Sequence, residues 1–147
     1  MEYLFLDMDN TIAENTTCDN VDYYPGLYLN KRPIQIVIDA IRHLYPDVTY
    51  IVLSKTDGGR DGKTEKIEWL KKYLPEVETA IFISPSESKD EYLKEIFTLY
   101  NIDPSKCLLI DDKKSILQQC KLLGINVKYP QQIICDYEES LREQNEK

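Results

Sequence analysis

What this chain lacks narrows it first. No apolar run approaches roughly 18 residues, so no membrane-spanning helix is expected. No signal-peptide pattern precedes Tyr3, and Met1 is expected to be the initiator. The four cysteines, Cys18, Cys107, Cys120 and Cys135, show no C-x-x-C spacing. They read as reduced thiols in a cytoplasmic protein, not as a disulfide frame or a zinc site. Histidine occurs once, as His43, beside Arg42 on the polar side of a predicted helix. It is expected at the surface, which leaves histidine acid–base chemistry without a candidate. There is no internal repeat and no low-complexity segment. An excess of positive charge is missing too: 18 Lys and Arg face 26 Asp and Glu, a net charge of -8. That balance argues against general nucleic-acid binding and against an anionic membrane surface.

What is present fits one domain's worth of chain, 147 residues, long enough to bury a core without staples. The expectation is a single domain over 1–135, a short flap at 12–30, and a charged tail at 136–147 that forms at most a short, frayed helix. Tyr3 to Leu6 make an apolar run too short for a helix and suited to a buried strand. A polar stretch to Asn30 follows, with a Pro25-Gly26 turn signal and three tyrosines, Tyr23, Tyr24 and Tyr28. A stretch of that length without periodicity is usually a functional flap. The tyrosines are expected to pack it down; the alternative is that Tyr23 or Tyr24 stacks on a base.

A helix begins near Pro33, with Ile34, Val37, Ile38, Ile41 and Leu44 at helical spacing, and ends before Pro46. Strands are expected at 49–53, 79–83, 107–110 and 125–129. Helices fall between them at 63–74, with Ile67, Leu70 and Leu74 inward, at 88–100, and at 113–123, where Gly124 caps the end. Residues 55–62 read as a glycine-rich, charged loop, mobile over 57–62. Alternation of strand and helix calls for an α/β fold with a parallel five-stranded sheet, right-handed crossovers and helices on both faces. Too few residues remain before Asn30 for a large cap domain.

In such a sheet, ligands bind beyond the carboxyl ends of the strands. Three of those ends carry chemical groups. Asp7 and Asp9 follow the first strand, Ser54 the second, and Asp111 and Asp112 the fourth. Carboxylates this close remain ionised together only with positive charge between them. The oxygen-rich set suits Mg2+, a hard cation that keeps water and substrate phosphate as further ligands. A hydroxyl such as Ser54 can donate to a phosphate oxygen. A lysine is wanted for charge balance, and Lys89, opening the helix after the third strand, is on the correct edge. Lys106 precedes the fourth strand and belongs to the opposite edge; Lys94 lies more than a turn into its helix.

The pattern resembles the haloacid dehalogenase (HAD) superfamily of aspartate-nucleophile phosphohydrolases. The D-x-D-x-T motif is matched by Asp7-Met8-Asp9-Asn10-Thr11, the strand-closing hydroxyl by Ser54, the lysine by Lys89, and the acidic motif by Ile110-Asp111-Asp112. The resemblance spans residues 3 to about 129 and implies a Rossmann-like sheet with strand order 3-2-1-4-5. It implies Asp7 as nucleophile, Asp9 as general acid and then base, and Thr11, Ser54 and Lys89 as phosphate-binding groups. It implies Mg2+ held by Asp7, Asp111 and the main-chain carbonyl of Asp9, with Asp112 as a ligand or just behind one. Lys66 to Leu74 and the Ile-Asp-Asp ending also resemble the 5'(3')-deoxyribonucleotidases, which implies a nucleoside monophosphate substrate. The sequence itself leaves nucleotide, sugar phosphate and phosphoprotein open, and oligomeric state with them.

Three other readings compete. Gly58 to Thr64 ends like a P-loop, but Asp57 stands where the first glycine is required, and Asp57 and Asp61 put carboxylates where amides should cradle phosphate. A P-loop kinase also leaves the Asp7–Thr11 motif unexplained. A phospho-receiver module uses similar groups, but its acidic pair comes on the first strand. A catalytically silent binding module on the same fold is the third.

Overall fold

Side-chain alternation along β1 (Tyr3–Leu6) sorts the whole core. Leu4 and Leu6 point to one face of the sheet and Phe5 to the other, as the period of two in a strand requires. The computed structural model describes residues 1–15 and 22–146. The first face packs Leu4, Leu6, Tyr50, Val52, Leu108 and Ile110 against α1 (Gln35–Leu44), α2 (Gly59–Tyr73) and α5 (Pro130–Asn145). The second packs Phe5, Leu53, Ile83 and Leu109 against α3 (Lys89–Leu99) and α4 (Lys114–Lys121). Each large apolar side chain removed from water contributes about 1.5–3 kcal/mol, and both faces are used.

The strands are parallel in the order β3-β2-β1-β4-β5, with β2 at Thr49–Lys55, β3 at Val77–Ile83, β4 at Cys107–Ile110 and β5 at Asn126–Lys128. Among the described residues five α-helices surround these five strands, the α/β architecture expected from the sequence. Between β1 and α1 the described residues form turns and isolated bridges but no helix. Residues 16–21 of the expected flap, Cys18 among them, lie outside the described residues. Among the described residues no helix is long and apolar enough to cross a membrane.

Four sequence readings change. The loop expected at 55–62 is mostly regular structure: β2 continues to Lys55 and α2 starts at Gly59, so only residues 56–58 separate them. Gly58, at φ 80°, makes the turn without strain, and no long loop remains to wrap a phosphate. The inward face of α2 is Gly62, Lys66, Trp69 and Leu70, at helical spacing, whereas Ile67 is 40% exposed. The early start sets that phase: Gly62 meets the Asp57 carbonyl oxygen so closely that a Cβ there would lie 2.0 Å from it.

The segment from Asp136 is no fraying tail. It continues α5, which lies along α1 with Ile133 buried between them. His43 is correspondingly half-buried, its ring edge-on to Tyr137 and its Nε2 2.9 Å from the Ser140 hydroxyl.

Candidate active site

Register sets the geometry. Leu6 pairs with Val52 on one side and Ile110 on the other, and the Asp7 amide donates to the Ile110 carbonyl at 3.0 Å. Asp7 and Asp111 therefore leave the sheet side by side at its carboxyl edge. The chain then turns tightly: amides of Thr11, Ile12 and Ala13 all donate to the Met8 carbonyl, with Asn10 at φ 61°, a conformation asparagine tolerates better than most residues.

Inside this edge Lys89 is almost completely buried. Its Nζ donates to Asp7 Oδ1 at 2.9 Å and Asp111 Oδ2 at 2.7 Å. Burial opposes its charge, but Asp7 and Asp111 outweigh that and raise its pKa. Thr11 donates its hydroxyl to Asp7 Oδ2 at 3.1 Å, and the Lys113 amide donates to Asp111 Oδ1 at 3.0 Å. Asp7, Asp111 and Asp112 each offer one oxygen within 4.8 Å of the others. Burial, a hydrogen bond to Asp7, and the charges of Asp7 and Asp111 push the Asp112 carboxyl up to about 7. Burial and Asp7 also raise Asp111. One lysine thus leaves three carboxylates short of positive charge. An all-oxygen donor set with excess negative charge fits a divalent cation of the Mg2+ type.

Ser54 and Asp9 form the other half of the site, and what joins them is a residue the sequence reading passed over. Lys66 is fully buried. Its Nζ donates to Asp9 Oδ2 at 3.1 Å, to Ser54 Oγ at 2.9 Å and to the Lys55 carbonyl at 3.2 Å. It also lies 4.4 Å from the centroid of the Tyr28 ring, a cation–π contact. A second unforeseen lysine, Lys31, donates to Asp9 Oδ1 at 2.6 Å and to Asn15 Oδ1 at 2.8 Å. Burial alone would raise the Asp9 pKa, but the charges of Lys66 and Lys31 and their hydrogen bonds together lower it. Lys66 moves the other way from Lys89: burial lowers its pKa, and the attraction of Asp9, which it shares with Lys31, does not make up the difference.

All seven residues singled out from the sequence therefore lie at this one edge: Asp7, Asp9, Thr11, Ser54, Lys89, Asp111 and Asp112. Lys106 sits at the opposite edge, 3.5 Å from Glu2. A lysine in phase with Gly62, Trp69 and Leu70 on α2 was a readable signal for Lys66. Lys31 had none, because its position depends on how the flap returns.

That return is well defined. The Glu14 amide donates to the Arg32 carbonyl at 2.8 Å and the Ile34 amide to the Ile12 carbonyl at 2.7 Å, pairing the two ends of the flap like a short hairpin stem. Tyr23 donates its hydroxyl to Glu65, and its ring leaves Gly58 no space for a side chain. The same contact pushes the Tyr23 hydroxyl up to about 12. The Tyr28 hydroxyl accepts from the Asp57 amide at 3.1 Å, while Tyr24 is exposed. Beside Asp9, a polar cleft of about 570 Å3 is lined by Asn10, Glu14, Asn15, Arg32 and Ile34.

No protein-family model matches the sequence, and no curated protein does. Solved structures do share the fold. One is a chain of the Pnkp1/Rnl/Hen1 RNA repair complex, at TM-score 0.65 and 15% identity over 87% of this chain and 42% of that one. A haloacid dehalogenase-like family hydrolase from Streptococcus pneumoniae aligns at TM-score 0.62 and 11% identity, over 93% of this chain and 90% of that one. The N-terminal part of a Bacteroides fragilis protein, containing a phosphatase domain complexed with Mg, aligns at 0.59 and 19% identity, over 96% and 39%. This chain thus spans about two-fifths of the first and third, and most of the second.

Proposed function

We propose that this chain is a Mg2+-dependent phosphomonoester hydrolase that carries the phosphoryl group on Asp7. The observation that carries the reading is the placement of the Asp7 carboxylate. One oxygen is held by Lys89 and the other by Thr11, beside Asp111 and Asp112 at the sheet's carboxyl edge. A carboxylate nucleophile divides a difficult hydrolysis into two easier steps. Asp7 attacks phosphorus, the ester oxygen leaves with a proton, and water then attacks the acyl phosphate to release inorganic phosphate and regenerate Asp7.

Asp9 delivers and then removes the protons. Its lowered pKa suits the second role, as the base that activates water. In the first it must exchange its lysine contacts for a proton, with Lys31 and Lys66 turning to the oxygens of the incoming phosphate. Ser54, Thr11 and Lys89 bind the other phosphate oxygens, and positioned charges of this kind stabilise the transferring group. Asp7, Asp111, Asp112 and the main-chain carbonyl of Asp9 would hold Mg2+. Bound there, the ion supplies charge neutralisation at the phosphate oxygens. The Mg complex of the Bacteroides fragilis phosphatase domain, which shares the fold, supports that assignment.

The substrate proposed is a nucleoside monophosphate or a phosphorylated nucleic-acid end. Two features support it: the sequence resemblance to deoxyribonucleotidases, and the shared fold of a chain in an RNA repair complex. Tyr24, exposed beside the packed Tyr23, is available to stack on a base. A screen of nucleoside 5'- and 3'-monophosphates, sugar phosphates and a phosphopeptide, each with Mg2+ and with EDTA, tests the reading. Chelator-sensitive release of phosphate, fastest from nucleotides, is expected. Equal rates on sugar phosphates would remove the nucleotide assignment, and full turnover in EDTA would remove the metal.

A further inference from the structure

Helix α2 grips the flap at three positions. The Glu65 carboxylate gathers four donors: Oε2 accepts from the Tyr23 hydroxyl and the Gly26 amide at 3.2 Å, and Oε1 from the amides of Tyr28 at 3.1 Å and Leu29 at 3.3 Å. Lys66, the next residue, underlies the Tyr28 ring. One turn on, the Trp69 indole N–H donates to the Lys31 carbonyl at 2.9 Å. A surface loop held only by its own turns would need none of this. Lys31 follows the flap directly, and its ammonium takes one oxygen of Asp9 while Lys66 takes the other. Asp9 is therefore fixed from two independent sides, by a lysine rooted in the core helix and by one carried on the flap.

We propose that Glu65 is a positioning residue of the active site. By folding residues 23–29 onto α2 it holds Lys31 against Asp9, so the orientation of Asp9 toward the leaving group depends on the flap. The catalytic half of this statement rests on the phosphohydrolase reading above; the positional half does not. Glu65 touches neither Asp9 nor any other group of the acidic edge, and it acts only through the chain that it folds. The competing arrangement is that the stem at 12–14 and 32–34 places Lys31 unaided, which makes Glu65 a stabilising contact and nothing more.

Two readouts separate these. The first is lysine acylation with acetic anhydride, mapped by peptide mass spectrometry, under conditions where each variant remains folded by circular dichroism. In Glu65→Ala, Lys31 labelling should rise by roughly tenfold as the segment opens locally, while Lys89, held by Asp7 and Asp111 away from the flap, stays protected. Glu65→Gln, which keeps an acceptor oxygen, should fall between. Should Glu65→Ala fail to fold, Glu65→Gln and Tyr23→Phe carry the same comparison. Unchanged Lys31 labelling in these variants would overturn the proposal.

The second is a double-mutant cycle on an alkyl phosphate. Glu65→Ala and Lys31→Met should each lower kcat, and the double variant should be no slower than Lys31→Met alone, because both changes remove the same contact. Multiplicative losses would show that Glu65 acts by another route and would also overturn it. If the wild-type chain hydrolyses no phosphoester, the functional reading falls, while the labelling result still decides the positional one.

Discussion

Lys66 Nζ stands 3.1 Å from Asp9 Oδ2 although 57 positions separate the two residues in the chain. The contact ties the first strand's acidic turn to the Ser54 hydroxyl at the end of β2, because the same ammonium bonds both. The two lysines unforeseen from the sequence thus gather around Asp9, and Lys89 around Asp7 and Asp111.

Removing that ammonium should hurt both stability and turnover. Lys66→Met keeps most of the side-chain volume but takes away the donor to Ser54 Oγ and one of two side-chain donors to the Lys55 carbonyl. Unsatisfied buried polar groups cost about 1–3 kcal/mol each, and the Lys55 carbonyl keeps the Ser54 hydroxyl at 3.4 Å. A net loss of about 1–3 kcal/mol follows, or a fall in Tm of roughly 2–4 °C per kcal/mol for a domain of this size. Thermal melts with and without phosphate check it. Unchanged Tm and unchanged kcat together would show that the buried lysine is dispensable.

The glycines around the start of α2 should separate by what surrounds them. Gly62→Ala would gain up to about 1 kcal/mol of helix propensity on an open helix, yet its Cβ would lie 2.0 Å from a backbone oxygen. It should therefore destabilise the fold. Gly59 has φ 57° with nothing near its missing side chain, so Gly59→Ala should cost only the left-handed strain, about 1–2 kcal/mol. Chemical denaturation of the two variants gives the order directly. A stabilised Gly62→Ala would mean that α2 does not begin where it is placed here.

Much of the fold was legible because apolar spacing and strand-ending polar residues agree with each other. Tyr3–Leu6 and Cys107–Ile110 stop at carboxylates, and a parallel sheet puts both ends on one edge; the pairing of β1 with β4 then sets Asp7 beside Asp111. Lys89 could be chosen over Lys106 by topology, since one follows a strand and the other precedes one. Less visible was anything set by phase or by the return path of a loop. Gly62 tight against the Asp57 carbonyl turns α2 so that Lys66 faces inward and Ile67 outward, a reversal of their usual preferences. Asp136 onward looks like a polar tail, but Ile133 and the contacts of His43 with Tyr137 and Ser140 dock it on α1. Lys31 reaches Asp9 through a pairing of 12–14 with 32–34 that no local pattern announces.

Stability and Mg2+ affinity should both depend on pH through Asp112. Its folded value near 7 lies above the ordinary carboxylate value, so the folded chain holds a proton that the unfolded chain releases. Between about pH 4 and 7 the metal-free protein should lose stability from this group as pH rises. Mg2+ needs the deprotonated carboxylate, so its affinity should climb over the same range. Melts at pH 5 and pH 8 in EDTA and in Mg2+ test the sign: the stabilisation by Mg2+ should be larger at pH 8. Equal stabilisation at both would detach Asp112 from the metal.

Asp9 and Asp7 should separate by role. General acid catalysis is worth roughly 10²–10⁴-fold, and its value shrinks as the leaving group improves. Asp9→Asn should therefore slow an alkyl phosphate far more than the first turnover of p-nitrophenyl phosphate, giving a burst of nitrophenol followed by slow release of phosphate. Equal losses on both substrates, without a burst, would make Asp9 structural.

Chemical identification of the phosphorylated residue tests the account's centre. Asp9→Asn protein, in which breakdown of the intermediate should be slow, is mixed with 32P-labelled p-nitrophenyl phosphate and Mg2+, quenched in acid and mapped by peptide mass spectrometry. The label should sit on Asp7, be released by hydroxylamine as an acyl phosphate is, and be absent when Asp7→Asn is added. Stable label on Ser54 or Thr11, or rapid turnover by Asp7→Asn protein, would contradict it.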